Sequence, residues 1–333
     1  MGLAVTTMIR AERTPTEVLR AGMIGLDTSH VIAFTKIFNG KDAEGSLASL
    51  RVVAGYPGGT DIPSSKNRVK GFTEQLRGMG VRIYDSIPEL IEDVDVVLVM
   101  SVDGRPHLDQ VVPVLKAGKP LFIDKPLAGS LVDCVAIVDL AKQYDVPWFS
   151  SSSLRFTPGL VDVRKGGGTA GEVIGCSAWG PCTLEPTHPD LFWYGVHATE
   201  LLFTIMGAGC EKVTRVKTDD TEFVTGVWSG GRVGTFRGLR AGSAGYGAMV
   251  FGSKEIVQAP KYAGYGGLCR EIAEFFTTRK PPIAAEETLE MFAFMEAADE
   301  SKRRGGATVS VAEVLSVARK KAAAKVERLT SGR

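Results

Sequence analysis

The sequence predicts a doubly wound parallel α/β sheet followed by an α+β domain with a mainly antiparallel open sheet. Three observations predict it. Short apolar runs alternate with helical patterns from residue 18 to 150, the grammar of β-α-β units. One of those runs, Val94 to Met100, is almost continuously apolar, as a strand covered on both faces of a parallel sheet must be. After residue 150, strand-like segments follow one another with turn residues between them. The 333 residues exceed one small domain and suffice for two, and 44% hydrophobic residues supply the cores. The expected division is an extension at 1–17, a first domain at 18–150 and a second at 151–333.

In chain order, Val18 to Ile24 reads as a strand and Ser29 to Asn39 as a helix capped by Thr28 or Ser29. Leu50 to Ala54 is a strand and Asn67 to Arg77 a helix. After the strand ending at Met100, Pro106 to Ala117 places Leu108, Val111, Val112 and Leu115 on one helical face, and Gly118 stops it. Leu121 to Asp124, Leu131 to Tyr144 and Pro147 to Ser150 continue as strand, helix, strand. Beyond 150, strands are expected at Val173 to Trp179, Val213 to Lys217, Glu222 to Trp228, Arg232 to Leu239 and Ala248 to Phe251. Ser229-Gly230-Gly231 signals a hairpin. Helices are expected at 196–206, 268–279, 286–304 and 311–328.

Lys and Arg total 39 against 38 Asp and Glu, so no basic excess points to nucleic acid. No run is long and apolar enough to span a membrane, and the first twenty residues lack a secretory pattern. Five scattered cysteines fit reduced thiols, hence a cytoplasmic expectation, and Cys176 and Cys182 have no second pair to complete a zinc site. The four histidines, His30, His107, His188 and His197, lack ligand spacing, so no metal is expected. An exposed antiparallel sheet face favours a homodimer or homotetramer.

The turn after the first strand reads Gly22-Met-Ile-Gly25-Leu-Asp27-Thr28-Ser29-His30. A dinucleotide fingerprint, G-x-G-x-x-G, would use its glycines for the tight turn, for close approach of the pyrophosphate and for helix packing. Gly25 is the one retained; Asp27 and His30 hold the other two positions. Asp27 and Thr28 are read either as part of an altered cofactor turn or as helix caps. At the end of the second strand Tyr56 stands where an acid would bind ribose. Downstream, Ser64, Ser65, Lys66 and Arg68 either hold a 2′-phosphate, favouring NADP, or form a solvated helix start.

The stretch from 95 to 128 carries His107, Ala117-Gly118-Lys119 and Asp124-Lys125-Pro126. With Arg155-Phe156, Gly171-Glu172-Val173-Ile174-Gly175, Gly195-Val196-His197-Ala198-Thr199-Glu200 and Glu296 to Ser301, it resembles the Gfo/Idh/MocA oxidoreductases. The resemblance covers nearly everything after residue 17. It implies a Rossmann domain followed by an α+β domain whose sheet mediates oligomerisation. It implies NAD or NADP as cofactor and a sugar, polyol or sugar acid as substrate, with Lys125 and His197 at the reacting carbon. Ser101, Val102, His107 and Asp124 join Gly25, Asp27, Thr28, Ser29, His30, Tyr56 and Lys125 as expected cofactor contacts. Arg155, His188, Trp193 and Tyr194 are expected on the substrate side.

The residue chemistry supports the same roles. Oxidising an alcohol needs a base within hydrogen-bond reach of the hydroxyl. Lys125 ends a strand, where open α/β sheets place ligands. A surface salt bridge for Lys125, and a satisfied core position for His197, are the competing structural roles. Arg155 suggests either an acidic or phosphorylated substrate or an ion pair. The chain departs from the family pattern at Trp193, where many members carry Asp, at Glu200 in place of Asp, and at Asp124 in place of Glu. Those departures keep a second activity in view, a lyase, hydratase or epimerase with recycled or absent nicotinamide. A non-catalytic metabolite sensor has no need for both Lys125 and His197.

Overall fold

The computed structural model describes residues 18–331, so the expected N-terminal extension lies outside the described residues. Six parallel strands form the first sheet: β1 (Leu19–Ile24), β2 (Leu50–Tyr56), β3 (Arg82–Ile83), β4 (Val96–Val99), β5 (Leu121–Asp124) and β6 (Trp148–Ser151). Their order, β3-β2-β1-β4-β5-β6, reverses between β1 and β4. The helices between them are α1 (Ser29–Phe38), α2 (Pro63–Gly78), α3 (Ile87–Glu92), α4 (His107–Lys116) and α5 (Leu131–Gln143). Residues of β4, β5 and β6 are buried throughout, which is why β4 is wholly apolar and why β5 and β6 carry polar residues only at their carboxyl ends.

After α6 (Leu160–Arg164) the second sheet begins with β7 (Val173–Pro181). A π-turn, Leu191–Gly195, runs directly into α7 (Val196–Met206), which lies on that sheet. Then follow β8 (Cys210–Lys217), β9 (Thr221–Trp228), β10 (Val233–Leu239), β11 (Gly247–Gly252), β12 (Ile256–Gln258), α8 (Gly266–Thr278), α9 (Ala285–Arg303), β13 (Val309–Ser310) and α10 (Val311–Ser331). The sheet order is β12-β11-β7-β10-β9-β8-β13. Among the described residues, the β7–β10 pairing of this sheet is parallel and its other pairings are antiparallel. Gly230 and Gly231 turn the β9–β10 hairpin at φ 74° and 79°, a region glycine enters freely.

The C-terminal helices tie the two sheets together. Leu268, Ile272 and Phe275 of α8 pack in one apolar cluster with Phe122 and Phe149 of the first sheet. Helix α10 packs along α5.

Several boundaries move for identifiable reasons. Helix α2 starts at Pro63, before the expected Asn67, because proline suits the first helical position. Thr28, in extended conformation, caps α1 and accepts from His30 N–H at 3.3 Å. The short β3, α3, α6, β12 and β13 escape the sequence reading because so few residues carry no measurable period.

Candidate active site

The carboxyl end of the first sheet and the amino end of α7 enclose a cavity of about 230 Å³. Its lining includes Thr28, Ser29 and His30 from the start of α1, Arg68 from α2, Val102 after β4 and Lys125 after β5. Across from them stand Trp193 and Tyr194 of the π-turn and His197 of α7, with Tyr246, Tyr262 and Tyr265 from loops. It lies where the strand order reverses, the place open α/β sheets offer a ligand.

Lys125 is half-buried with its ammonium 5.7 Å from the Tyr194 ring centre. Burial, and secondarily the Arg68 charge, lower its pKa from the usual lysine value against the pull of Asp124 and Asp27. His197 is held through Nδ1 by Ser152 Oγ at 2.7 Å and flanked by the Tyr194 and Tyr246 rings. Burial first, then the charges of Lys125 and His30, push its pKa well below the ordinary histidine value, so it is neutral at pH 7. Ser152 is itself held from its backbone, whose N–H donates to Glu200 Oε2 at 3.0 Å. Glu200 therefore supports His197 indirectly.

A second histidine reaches the cavity. His30 Nδ1 lies 2.6 Å from Asp124 Oδ2, and Asp124 Oδ1 accepts from Lys125 N–H at 3.0 Å. Burial would raise the Asp124 carboxyl; the His30 and Lys125 interactions overcome it and lower the pKa, so Asp124 is a carboxylate. Phe34 stacks on the His30 ring and Tyr265 meets it edge-on.

The altered turn has a clear geometry. Gly25, at φ 87°, packs so tightly on Ser101 that an added Cβ would lie 2.1 Å from its Oγ. Asp27 is wholly buried; it accepts from Ser65 Oγ–H and from Val102 N–H at 2.9 Å. Its carboxyl is thereby turned away from the groove, while Thr28, Ser29 and His30 at the start of α1 line the cavity. These residues fit a dinucleotide's phosphates: the helix amino end favours an anion, and the carboxylate that would repel one is sequestered.

Thus Thr28, Ser29, His30, Val102, Lys125, Trp193, Tyr194 and His197 share one cavity, with Asp124 directly behind. Other expected contacts lie elsewhere. Arg155, expected on the substrate side, is buried between Glu200 Oε1 at 2.6 Å and Glu287 Oε1 at 2.7 Å, so the ion-pair alternative holds. His188 is also withdrawn: its Nε2 accepts from Gly104 N–H at 3.1 Å and lies 3.2 Å from Asp103, bracing the loop after β4. His107 is fully buried between the carbonyls of Ser101 and Leu127, joining that loop to the end of β5. Ser101 is buried against Gln110, and Tyr56 packs on the core while its carbonyl accepts from Gly25 N–H at 2.9 Å. These residues shape the turn from beneath. Ser65 is fully buried on Asp27, which removes it from any 2′-phosphate site.

The sequence reading missed Ser152, Ser153, Tyr246, Tyr262 and Tyr265. Aromatic residues inside the glycine-rich segments 242–247 and 264–267 were the available signal for two of the tyrosines. Among the described residues no cluster of three His, Cys, Asp or Glu side chains is placed to hold a metal, and no helix is long and apolar enough to cross a membrane.

Comparison with known proteins agrees with this architecture. Residues 63–151 match a family model described as "Oxidoreductase family, NAD-binding Rossmann fold". That match begins after the altered first turn. Inositol 2-dehydrogenase 3 of Saccharopolyspora erythraea is 34% identical over 124 residues, 37% of this chain and 30% of that protein. The scyllo-inositol 2-dehydrogenase (NAD(+)) of Bacillus subtilis is 28% identical over 115 residues, 32% of this chain and 33% of that one. The chain thus spans about a third of the length of these curated relatives. In fold, it superimposes on a probable dehydrogenase from Thermotoga maritima with TM-score 0.71 at 23% identity, covering 89% of this chain and 100% of that one. The first sheet is thus of the Rossmann type. The matched segment, residues 63–151, is similar to the NAD-binding part of the Gfo/Idh/MocA oxidoreductases.

Proposed function

We propose that this chain is an NAD(P)-dependent dehydrogenase or reductase that interconverts a secondary alcohol and a ketone on a small sugar, polyol or sugar acid. The observation carrying this reading is the meeting of Lys125 and His197 in one cavity beside the amino end of α1. A bound nicotinamide supplies the hydride acceptor. Neutral Lys125 takes the hydroxyl proton during oxidation, and its protonated form polarises the carbonyl in reduction. Burial lowers the cost of the neutral amine. His197, neutral and oriented by Ser152, holds the same oxygen. The aromatic residues around the cavity exclude water and present faces to the carbon skeleton. The inositol dehydrogenase relatives support a polyhydroxylated substrate.

The test is a titration with NAD⁺, NADH, NADP⁺ and NADPH, with the denatured protein's supernatant assayed for nucleotide. Micromolar binding of one pair is expected. Lys125→Met and His197→Ala are each expected to lower turnover by about two orders of magnitude or more. The oxidation rate should rise with pH through a limb below the ordinary lysine pKa, and Lys125→Met should remove that limb. Absence of both bound and bindable nucleotide would defeat the reading.

One observation favours the second activity, a redox-neutral lyase, hydratase or epimerase. The His30–Asp124 pair adds a third proton-transfer group to the cavity, more than a simple dehydrogenase needs. Nucleotide released only on denaturation, with turnover and no net absorbance change, would select it.

A further inference from the structure

Three carboxylates approach the cavity from behind, and each is already committed to protein donors. Asp27 accepts from Ser65 and Val102; Asp124 from His30 and Lys125 N–H; Glu200 from Ser151, Ser152 and Arg155. Among the described residues no Asp or Glu lines the cavity. The groups that do face it are strong donors, the Arg68 guanidinium and the Lys125 ammonium, with hydroxyls beside them. Arg68 is exposed at the mouth, with Nε given to Ser64 O, and lies near enough for its charge to act on Lys125. Among the described residues no carboxylate lies within ion-pair distance of Arg68.

This inventory discriminates between ligands. A neutral polyol brings a proton with every hydroxyl and needs acceptors, the best of which are carboxylates. A carboxylate ligand only accepts, and it matches an Arg–Lys pair. The buried carboxylates of Asp27 and Asp124 offset charge nearby, yet each of their oxygens already accepts from a protein donor and neither lines the cavity, so they neither bind a polyol nor bar an anion at the surface. Opposite the cations, Trp193 and the tyrosines offer an apolar wall to a ring or short carbon chain.

We propose that the substrate is a sugar acid or related hydroxy acid whose carboxylate is held by Arg68 beside Lys125, and not a neutral polyol. This rests on the dehydrogenase reading and narrows its substrate class.

The test uses the full chain and calorimetric titration with three matched pairs: D-gluconate and D-sorbitol, D-glucuronate and D-glucose, D-galacturonate and D-galactose. Each pair is titrated with and without saturating NAD⁺. At least one acid is expected to bind tenfold or more tighter than its neutral partner. In Arg68→Gln that ratio should fall towards one while the NAD⁺ affinity and melting temperature stay unchanged. Neutral members binding as well as the acids, or no acid binding at all, would overturn the proposal. So would an Arg68→Gln protein that loses NAD⁺ affinity but keeps the acid preference, since the guanidinium then serves the cofactor's phosphates. Acids that bind a protein with no affinity for any nicotinamide nucleotide would sustain the carboxylate site and defeat the dehydrogenase reading instead.

Discussion

The two sheets use the same apolar residue types to opposite ends. In the first, β4, β5 and β6 expose nothing, and chemistry is confined to their carboxyl ends. In the second, burial alternates along β9 and β10, one face meets α7 and α9, and among the described residues nothing covers the other. Ile174, Val216, Phe223, Val233, Phe251 and Ile256 all stand on strands of this sheet and are exposed. In register, Phe223 pairs with Val216 on one side and with Arg237 on the other. A parallel sheet covered by helices on both faces has only its ends left for function. A half-covered sheet leaves a surface whose apolar area invites a partner.

The seam between the sheets is where this contrast is most easily broken. Arg155, just after β6, joins Glu200 of α7 to Glu287 of α9, and Glu287 also takes Arg164 at 2.9 Å. Replacing Arg155 with Met leaves two carboxylates buried, one of them unpaired. Breaking a buried pair in this way costs about 3–5 kcal/mol. We expect the midpoint of urea unfolding to drop accordingly. Activity per folded molecule should also fall, because Glu200 positions Ser152 and through it His197. An unchanged midpoint would mean the seam is held by packing alone.

How much of this was legible in the sequence follows from the same contrast. Strand–helix alternation and the run at 94–100 announced the first sheet because burial on both faces writes itself as continuous apolar sequence. That Lys125 and His197 line one cavity was legible because each sits in a local motif of the family resemblance. The Arg155 seam was not, since its partner Glu287 lies 132 positions away and no local pattern links them. Asp27 was ambiguous for a related reason: whether it repels a phosphate depends on Ser65 and Val102, which only folding brings to it. The tyrosines of the cavity come from loops, whose sequence carries no period to say which way a side chain faces.

The bare face of the second sheet yields a smaller expected effect on the folded chain and a clear one on assembly. We propose that it pairs with a second copy. Phe223→Lys should leave the melting temperature of the monomer nearly unchanged, because Phe223 is already 40% exposed. In sedimentation velocity the parent chain should run as a dimer or tetramer and the variant as a monomer. A monomeric parent would assign the face to another use.

The smallest effect sharpens the other half of the comparison, the loops at the ends of the first sheet. Asp103 follows β4 and is completely buried. Burial alone would raise its carboxyl pKa, but the His188 ring 3.2 Å away and the hydrogen bonds from Arg105 overcome it and hold the group well below the usual carboxylate range. A folded pKa below the unfolded one stabilises the fold above the unfolded value, about 4, and the contribution is lost as pH falls through the folded value. Thermal stability should therefore decline with acid below about pH 4, and Asp103→Asn should show a shallower decline from a lower starting point at pH 7. The two melting curves should converge at the acid end. Curves that stay parallel across that range would mean that Arg105 and His188 hold the loop by shape and not by charge, leaving the sheet's functional end no more sensitive to acid than its buried middle.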